Sequence, residues 1–323
     1  MEICKDLLFI HKIAKIATYY WPPAGLRYDG QWKHLNKGLE DMSKVRPNSI
    51  IFADTFFLQD FLIFNEIKVP FILISAETDV TVPYLDYKNK NNDVLKLLDN
   101  PNLVKWYSIN VDYKHPKLES LPLGSAKHVP YLINHDINNM HIGWAVTNHL
   151  EGISNDMVNV IKENNINLKE NFINENKKLL HSRMTINNSK DCYHRYELIR
   201  EKSIEQLKKN NIYLNTDLVT WKEYIEELKE YKFCLSLPGK GLDCYRTWES
   251  LTLGVYPIVL NIESLNKLYE DLPVVIINDL EEINDEFLNK KFTELSENVK
   301  NNKYNFSKLT SGYWINRIVN NFK

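Results

Sequence analysis

The sequence predicts an α/β protein made of two units, with mostly parallel sheets facing a central cleft, and three observations lead there. The chain has 323 residues, which exceeds one ordinary domain of about 100–150 residues and suits two. Short apolar runs bounded by Pro, Asn and Asp alternate with amphipathic helical stretches, the pattern of parallel strands joined by crossovers. The stretch KENNINLKENFINENKK at residues 162–178 is the sharpest shift in composition and marks the hinge. The expected division is therefore residues 1–165, residues 166–305 and a terminal segment 306–323.

In chain order, NSIIFAD (48–54), PFILISAE (70–77) and LVKWYSIN (103–110) read as strands. Ile142, Val146, Leu150, Ile153, Met157 and Ile161 then recur at helical spacing, which predicts a helix over 141–164 with one buried face. Beyond the hinge the alternation resumes: a strand at 179–184, a helix over 193–208, a strand at 212–215, a helix carrying Trp221, Tyr224, Ile225 and Leu228, and a strand at 233–237. Segments 248–253, 256–260, 265–272 and 273–278 continue it, and a polar helical region covers 280–300. The last amphipathic stretch, 313–322, puts Trp314, Ile315, Ile318, Val319 and Phe322 on one side and needs a surface to dock on.

Composition narrows the function. Apolar residues make up 44% and charged residues 25%, which excludes a disordered, collagen-like or coiled-coil chain. Forty basic against 42 acidic residues leave a net charge of -2, so no global basic field favours a nucleic-acid partner. Four cysteines without a Cys-x-x-Cys pair point to a reducing compartment or to no disulfide role. The start, MEICKDLLFIHKIAKIATYY, has no signal-peptide character, and no apolar run reaches the roughly 18 residues of a membrane span, so a cytoplasmic chain without membrane insertion is expected.

The segment 231–260, YKFCLSLPGKGLDCYRTWESLTLGVYPIVL, carries the strongest chemical signal. A strand runs into Pro238-Gly239-Lys240-Gly241, then a short helix with Asp243 as its expected N-cap and Gly254 at its end. Two of the ten glycines lie in this turn, where backbone takes φ > 0 or approaches a ligand closely. A helix N-terminus behind such a turn suits an anion. Arg246 and Glu249 share a helix face, so a guanidinium for a diphosphate sits beside a carboxylate for vicinal ribose hydroxyls. The competing reading is an ordinary strand-helix turn with a surface ion pair. The dinucleotide fingerprint fails here, since a third glycine is missing and the turn lies late in the chain, and the first strand-helix turn carries no glycine fingerprint, which disfavours a dehydrogenase.

Strand, P-x-G, a short gap and Y-R-T-W-E-S-L-x-x-G-x-x-P-I-V together resemble the donor-binding segment of exostosin-like glycosyltransferases. PFILISAETDVTVP (70–83) and WYSINVDYKHPKLESLPLG (106–124) are similar to the first half of soluble members from large DNA viruses, algae and bacteria. The resemblance implies a GT-B fold of two Rossmann-like domains, the first binding acceptor and the second the nucleotide-sugar, with a final helix returning to the first. It implies an inverting transfer from a nucleotide-diphosphate donor, a UDP-sugar, to a carbohydrate acceptor, with no cofactor. On this reading Arg183, Ser236, Pro238, Gly239, Gly241, Asp243, Arg246 and Glu249 hold the donor.

An inverting transfer requires a base for the acceptor hydroxyl, drawn from strand ends in the first half. Asp79 ranks first, following the PFILIS strand, and Asp112 second, while Asp54, Glu77 and His115 are acceptor-binding candidates. Each acid equally fits a cap or turn. Glu77-Thr78-Asp79 also has the acid-x-acid form of metal-dependent transferases, so a divalent cation is the alternative within enzymes, and a nucleotide- or glycan-binding protein without catalysis is the alternative outside them. Arg195, in HRYELIREK, is a weaker candidate than Arg246 and Arg183 for the departing diphosphate, with a structural or solvated charge on an exposed helix face as the competing reading. The scattered histidines lack zinc-ligand spacing. Tyr19, Tyr20, Trp21, Trp32 and Trp106 are core aromatics or sugar-stacking platforms.

Overall fold

The computed structural model describes residues 6–8, 10–21, 38–76, 79–84, 92–125, 150–164, 166–186, 192, 194–196 and 198–322. Residues SIIFAD and FILISA are buried along their whole length, the condition of inner strands in a parallel sheet. They form β2 (Ser49–Asp54) and β3 (Phe71–Ala76), flanked by β1 (Tyr19–Trp21), β4 (Leu103–Ser108) and β5 (Leu118–Ser120). All neighbours pair in parallel in the order β1-β2-β3-β4-β5. Alternate residues divide between two cores: Ile51, Ala53, Leu73 and Trp106 meet Phe61, Phe64 and Leu97 of the 3-10 segments Thr55–Glu66 and Asn92–Asp99. Ile50, Phe52, Ile72, Ile74 and Tyr107 face the other core, which continues without a break into the second unit. Trp21 and Trp106 are thereby core: Trp21 packs edge-on against Phe61 and Phe64, and the Trp106 indole donates to Ser75 Oγ at 2.8 Å. Tyr20 is core as well, its hydroxyl donating to Ala14 O, while Trp32 lies outside the described residues.

The second unit holds β6 (Lys178–His181), β7 (Tyr231–Leu235), β8 (Tyr256–Leu260) and β9 (Val275–Ile277), again parallel and in sequence order. Just past β6, Arg183 bridges in parallel to Asn215. The 212–215 segment thus contributes a single bridge rather than the expected strand. Because β6 and β7 pair directly, this segment flanks β6 on its other edge, consistent with the exposure of Tyr213. The chain therefore steps to one side of β6 and returns on the other, a reversal of strand order that opens a crevice at the carboxyl ends of β6 and β7.

Helices in chain order are α1 (Ile10–Ala14), α2 (Leu150–Glu163), α3 (Leu168–Phe172), α4 (Ile199–Lys208), α5 (Trp221–Leu228), α6 (Tyr245–Leu253), α7 (Glu263–Tyr269), α8 (Asp285–Lys300) and α9 (Ser311–Val319). The helix expected over 141–164 is described from Leu150, and its earlier part lies outside the described residues. The helix expected over 193–208 starts at Ile199, because Leu198 ahead of it is left-handed at φ 61°. The hinge sequence contains α3, whose single aromatic, Phe172, stacks on Phe306 at 5.6 Å and lies 4.8 Å from Tyr256. Composition sees only the polar majority of that stretch.

The C-terminal helix α9 lies against α1 of the first unit. Leu8 N donates to Leu309 O at 3.0 Å, Ser311 N to Asp6 O at 3.0 Å and Gly312 N to the Asp6 carboxylate at 2.7 Å. No helix among the described residues is long and apolar enough to cross a membrane.

Candidate functional site

A cavity of about 610 Å³ opens at the crevice beside β6. Its walls come from the turn after β6 (Arg183, Met184, Thr185), the segment after the Asn215 bridge (Asp217 to Val219), the start of α5, the loop after β7 and the first turns of α6. Asp79 and Leu123 reach it from the first unit. The local sequence explains the scaffold. Thr220 and Glu223 form a reciprocal capping box that fixes where α5 begins, so Trp221 and Tyr224 meet the cavity from its first turn. Gly254 ends α6 in the left-handed region at φ 71°, where a Cβ would lie 2.9 Å from Leu168 O.

Arg246 and Glu249 both line the cavity, as their three-residue spacing predicts. They do not form the surface ion pair of the competing reading. Nε and Nη1 of Arg246 are sealed from solvent with no hydrogen-bond partner, and the guanidinium lies 5.6 Å from the centre of the Tyr224 ring. Tyr224 Oη and Ser250 Oγ are likewise buried without a hydrogen bond, and His181 Nε2 has only Glu227 Oε1 nearby at 3.8 Å. Such orphaned groups are rare in folded proteins and their concentration in one place calls for a ligand or ordered water. Burial, then the charges of Arg246 and Arg183, push the His181 imidazole down to about 4, so it stays neutral and adds no charge beside Arg246. Glu249 Oε1 accepts the Trp221 indole N–H at 3.1 Å, which fixes the carboxylate at the cavity wall.

Of the other expected donor residues, Arg183, Gly239, Gly241 and Asp243 line the cavity as well and each also makes contacts within the fold, while Ser236 and Pro238 do not line it. Arg183 lines the cavity, yet its Nε donates to Glu227 at 2.7 Å and its Nη1 to Asp217 O at 2.8 Å, so its charge is compensated. Ser236 hydrogen-bonds Thr247 at 2.9 Å, joining the end of β7 to α6. Pro238 offers its carbonyl to Arg200 Nε at 3.0 Å. The expected left-handed backbone in this turn is absent: neither Gly239 nor Gly241 has positive φ. A Cβ on Gly239 would stand 2.9 Å from Arg200 Nη2, and one on Gly241 would stand 2.7 Å from Asn110 Nδ2, so the close approach is to the protein's own side chains.

Asp243 is not the cap of α6; Cys244 holds that position. The Asp243 carboxylate is buried and accepts from Leu123 N at 2.8 Å, Trp248 Nε1 at 2.8 Å, Cys244 N at 2.9 Å and Tyr269 Oη at 3.2 Å. Its own N–H donates to Asn110 at 3.0 Å. Burial outweighs these donors and pushes its pKa up to about 6. Asp243 joins the two units and has no lone pair left over for a ribose.

From the first unit, Asp79 is exposed and lines the cavity. Desolvation raises its pKa above the ordinary 3.8, with Lys240 on the facing loop acting in the opposite sense. Asp112 does not reach the cavity; it pairs with Arg195 at 2.7 Å across the two units. Arg195 is exposed as expected, but it lies ahead of α4 rather than on a helix and its charge is paired with Asp112 of the first unit. Asp54 is buried at the end of β2, and His115, whose Nδ1 accepts from Lys117 N at 3.1 Å, lines a second cavity. Glu77 lies outside the described residues.

Sequence reasoning passed over Arg200, Lys240, Trp221 and Tyr224. Arg200 is buried and reaches three carbonyls, those of Thr185, Leu237 and Pro238, so it holds the β7 loop in place. The Thr-x-x-Glu box ahead of Trp221 was the available signal for α5. No group of three or more His, Cys, Asp or Glu placed to hold a metal occurs among the described residues. No family model matches the chain, and no curated protein matches it.

Proposed function

We propose that the chain is an inverting glycosyltransferase of GT-B type that moves a sugar from a nucleotide-diphosphate donor, a UDP-sugar, to a carbohydrate acceptor. The observation that carries this reading is the buried Arg246 guanidinium, with no carboxylate partner and with Nε and Nη1 making no hydrogen bond, on the same cavity wall as the Glu249 carboxylate, in a crevice at a reversal of strand order. A buried cation without a counterion favours an anionic guest, and a carboxylate three residues on suits the ribose diol. Asp79 approaches from the other unit, and its raised pKa suits a base. In the transfer, the acceptor oxygen bonds to the anomeric carbon while the carbon–oxygen bond to the diphosphate breaks. The acceptor proton passes to Asp79, and Arg246 and Lys240 neutralise the departing diphosphate.

Thermal denaturation with UDP, GDP, CMP and NADH, each with and without chelator, tests the donor site. Saturation at a hundredfold over Kd adds about 2.7 kcal/mol, a rise of several degrees. A rise with UDP or GDP that survives the chelator is expected. A rise with NADH alone, or with none of the four, overturns the reading. A nucleotide response without release of nucleoside diphosphate from any sugar donor makes the protein a binder rather than a transferase.

A further inference from the structure

A second cavity of about 600 Å³ shares no lining residue with the first. It lies where β5 and the loop before it meet α7 and α9. Its volume falls within the roughly 300–1,000 Å³ of small-molecule sites. Several of its charges face one another, while Lys267, Glu270 and Asp271 line it without an ion pair among the described residues and the last two act on the charge of Lys308. Glu119 takes Arg317 and, at 3.7 Å, Lys105, and Lys114 pairs with Glu263 at 2.7 Å. Lys308 is buried and donates to the carbonyls of Lys267 and Glu270. Charges paired in this way offer little to an ion, since an incoming charge would have to break existing pairs.

The hydroxyls that the cavity leaves unbonded are neutral and two-way. Ser264 Oγ is sealed from solvent without a partner. Tyr113 and Tyr313 are half-buried at its wall; their rings meet Tyr84 and Trp314 edge-on at 6.0 and 5.1 Å, and neither hydroxyl makes a hydrogen bond among the described residues. Each of these hydroxyls both donates and accepts, as a ligand hydroxyl does. The tyrosine rings add apolar faces beside the polar tips, the combination that stacks against the C–H face of a sugar ring.

We infer that this second cavity is a binding site for an uncharged, hydroxyl-rich ligand, a neutral saccharide, held by Tyr113, Tyr313 and Ser264. The inference does not depend on the nucleotide reading of the first cavity, and its ligand bridges the two units.

Saturation-transfer NMR on the full chain tests it with glucose, N-acetylglucosamine and lactose as probes and glucuronate and inorganic phosphate as charged counterparts. The neutral sugars are expected to receive saturation while the charged probes do not. Tyr113→Ala and Tyr313→Ala should each weaken sugar binding by about three- to tenfold, the size of one aromatic contact, and leave the thermal response to UDP unchanged. Tyr113→Phe keeps the ring and removes the hydroxyl, so it reports on hydrogen bonding if Tyr313→Ala fails to fold. Binding of the charged probes alone, no binding by any neutral sugar, or sugar binding that survives the tyrosine variants and disappears in Arg246→Ala overturns the inference.

Discussion

The two cavities differ little in volume, about 610 and 600 Å³, and both draw walls from the two units, yet they treat charge in opposite ways. The first keeps a guanidinium with two sealed nitrogens that make no hydrogen bond, next to the Tyr224 ring. In the second, Glu119 is answered by both Arg317 and Lys105. The lesson is that charged lining alone says little about what a cavity binds. Uncompensated charge selects an ion, whereas compensated charge leaves hydroxyls and rings to choose the ligand.

The sharpest way to break this contrast is Arg246→Ala. Losing the partner of a buried phosphate should weaken UDP at least about thirtyfold by calorimetry. Unchanged affinity would mean that the first cavity does not use its cation. The seam between the units gives the next largest effect. With a pKa pushed up to about 6 from 3.8, Asp243 holds a proton in the folded chain through a window where the unfolded chain has released it. Its contribution to stability therefore falls as pH rises from about 4 to 6. Denaturation of wild type and Asp243→Asn at pH 4 and 7 should show the variant gaining about 2–3 kcal/mol relative to wild type over that interval.

Two further substitutions should move stability in opposite directions. Arg246→Met replaces an unpaired cation by an apolar chain of similar length, and the ligand-free protein should gain about 1–3 kcal/mol. Arg317→Ala removes a partner of the buried Glu119, and the melting temperature should fall by the equivalent of about 1–2 kcal/mol. Equal signs for the two would erase the distinction between the cavities. The smallest effect belongs to Lys114→Ala, whose ion pair with Glu263 lies on the exposed rim, and its melting temperature should match that of wild type.

Much of this architecture is legible along the chain. The runs SIIFAD, FILISA and YPIVL are apolar enough to be inner parallel strands wherever they fall, because backbone pairing and burial on both faces suit few other conformations. Gly254 reads as a helix stop, and Arg246 and Glu249 read as neighbours, since helical periodicity places them on one face. Spacing has no access to partners distant in sequence. The turn glycines pointed to a ligand, whereas Arg200 and Asn110 occupy the space beside them. Asp243 had the position of a cap, and it is the fold that surrounds it with donors from Leu123, Trp248 and Tyr269.

The sequence by itself determined the α/β alternation, the parallel strands and the placement of Arg246 and Glu249 on one helix face, because these follow from local periodicity and from backbone hydrogen bonding. Only the tertiary structure decided which charges are compensated. Arg183 finds Glu227, Asp112 finds Arg195, and Arg246 finds no carboxylate among the described residues. Compensation depends on groups 44 and 83 residues apart meeting within hydrogen-bond distance, and that proximity exists only once the chain has closed on itself.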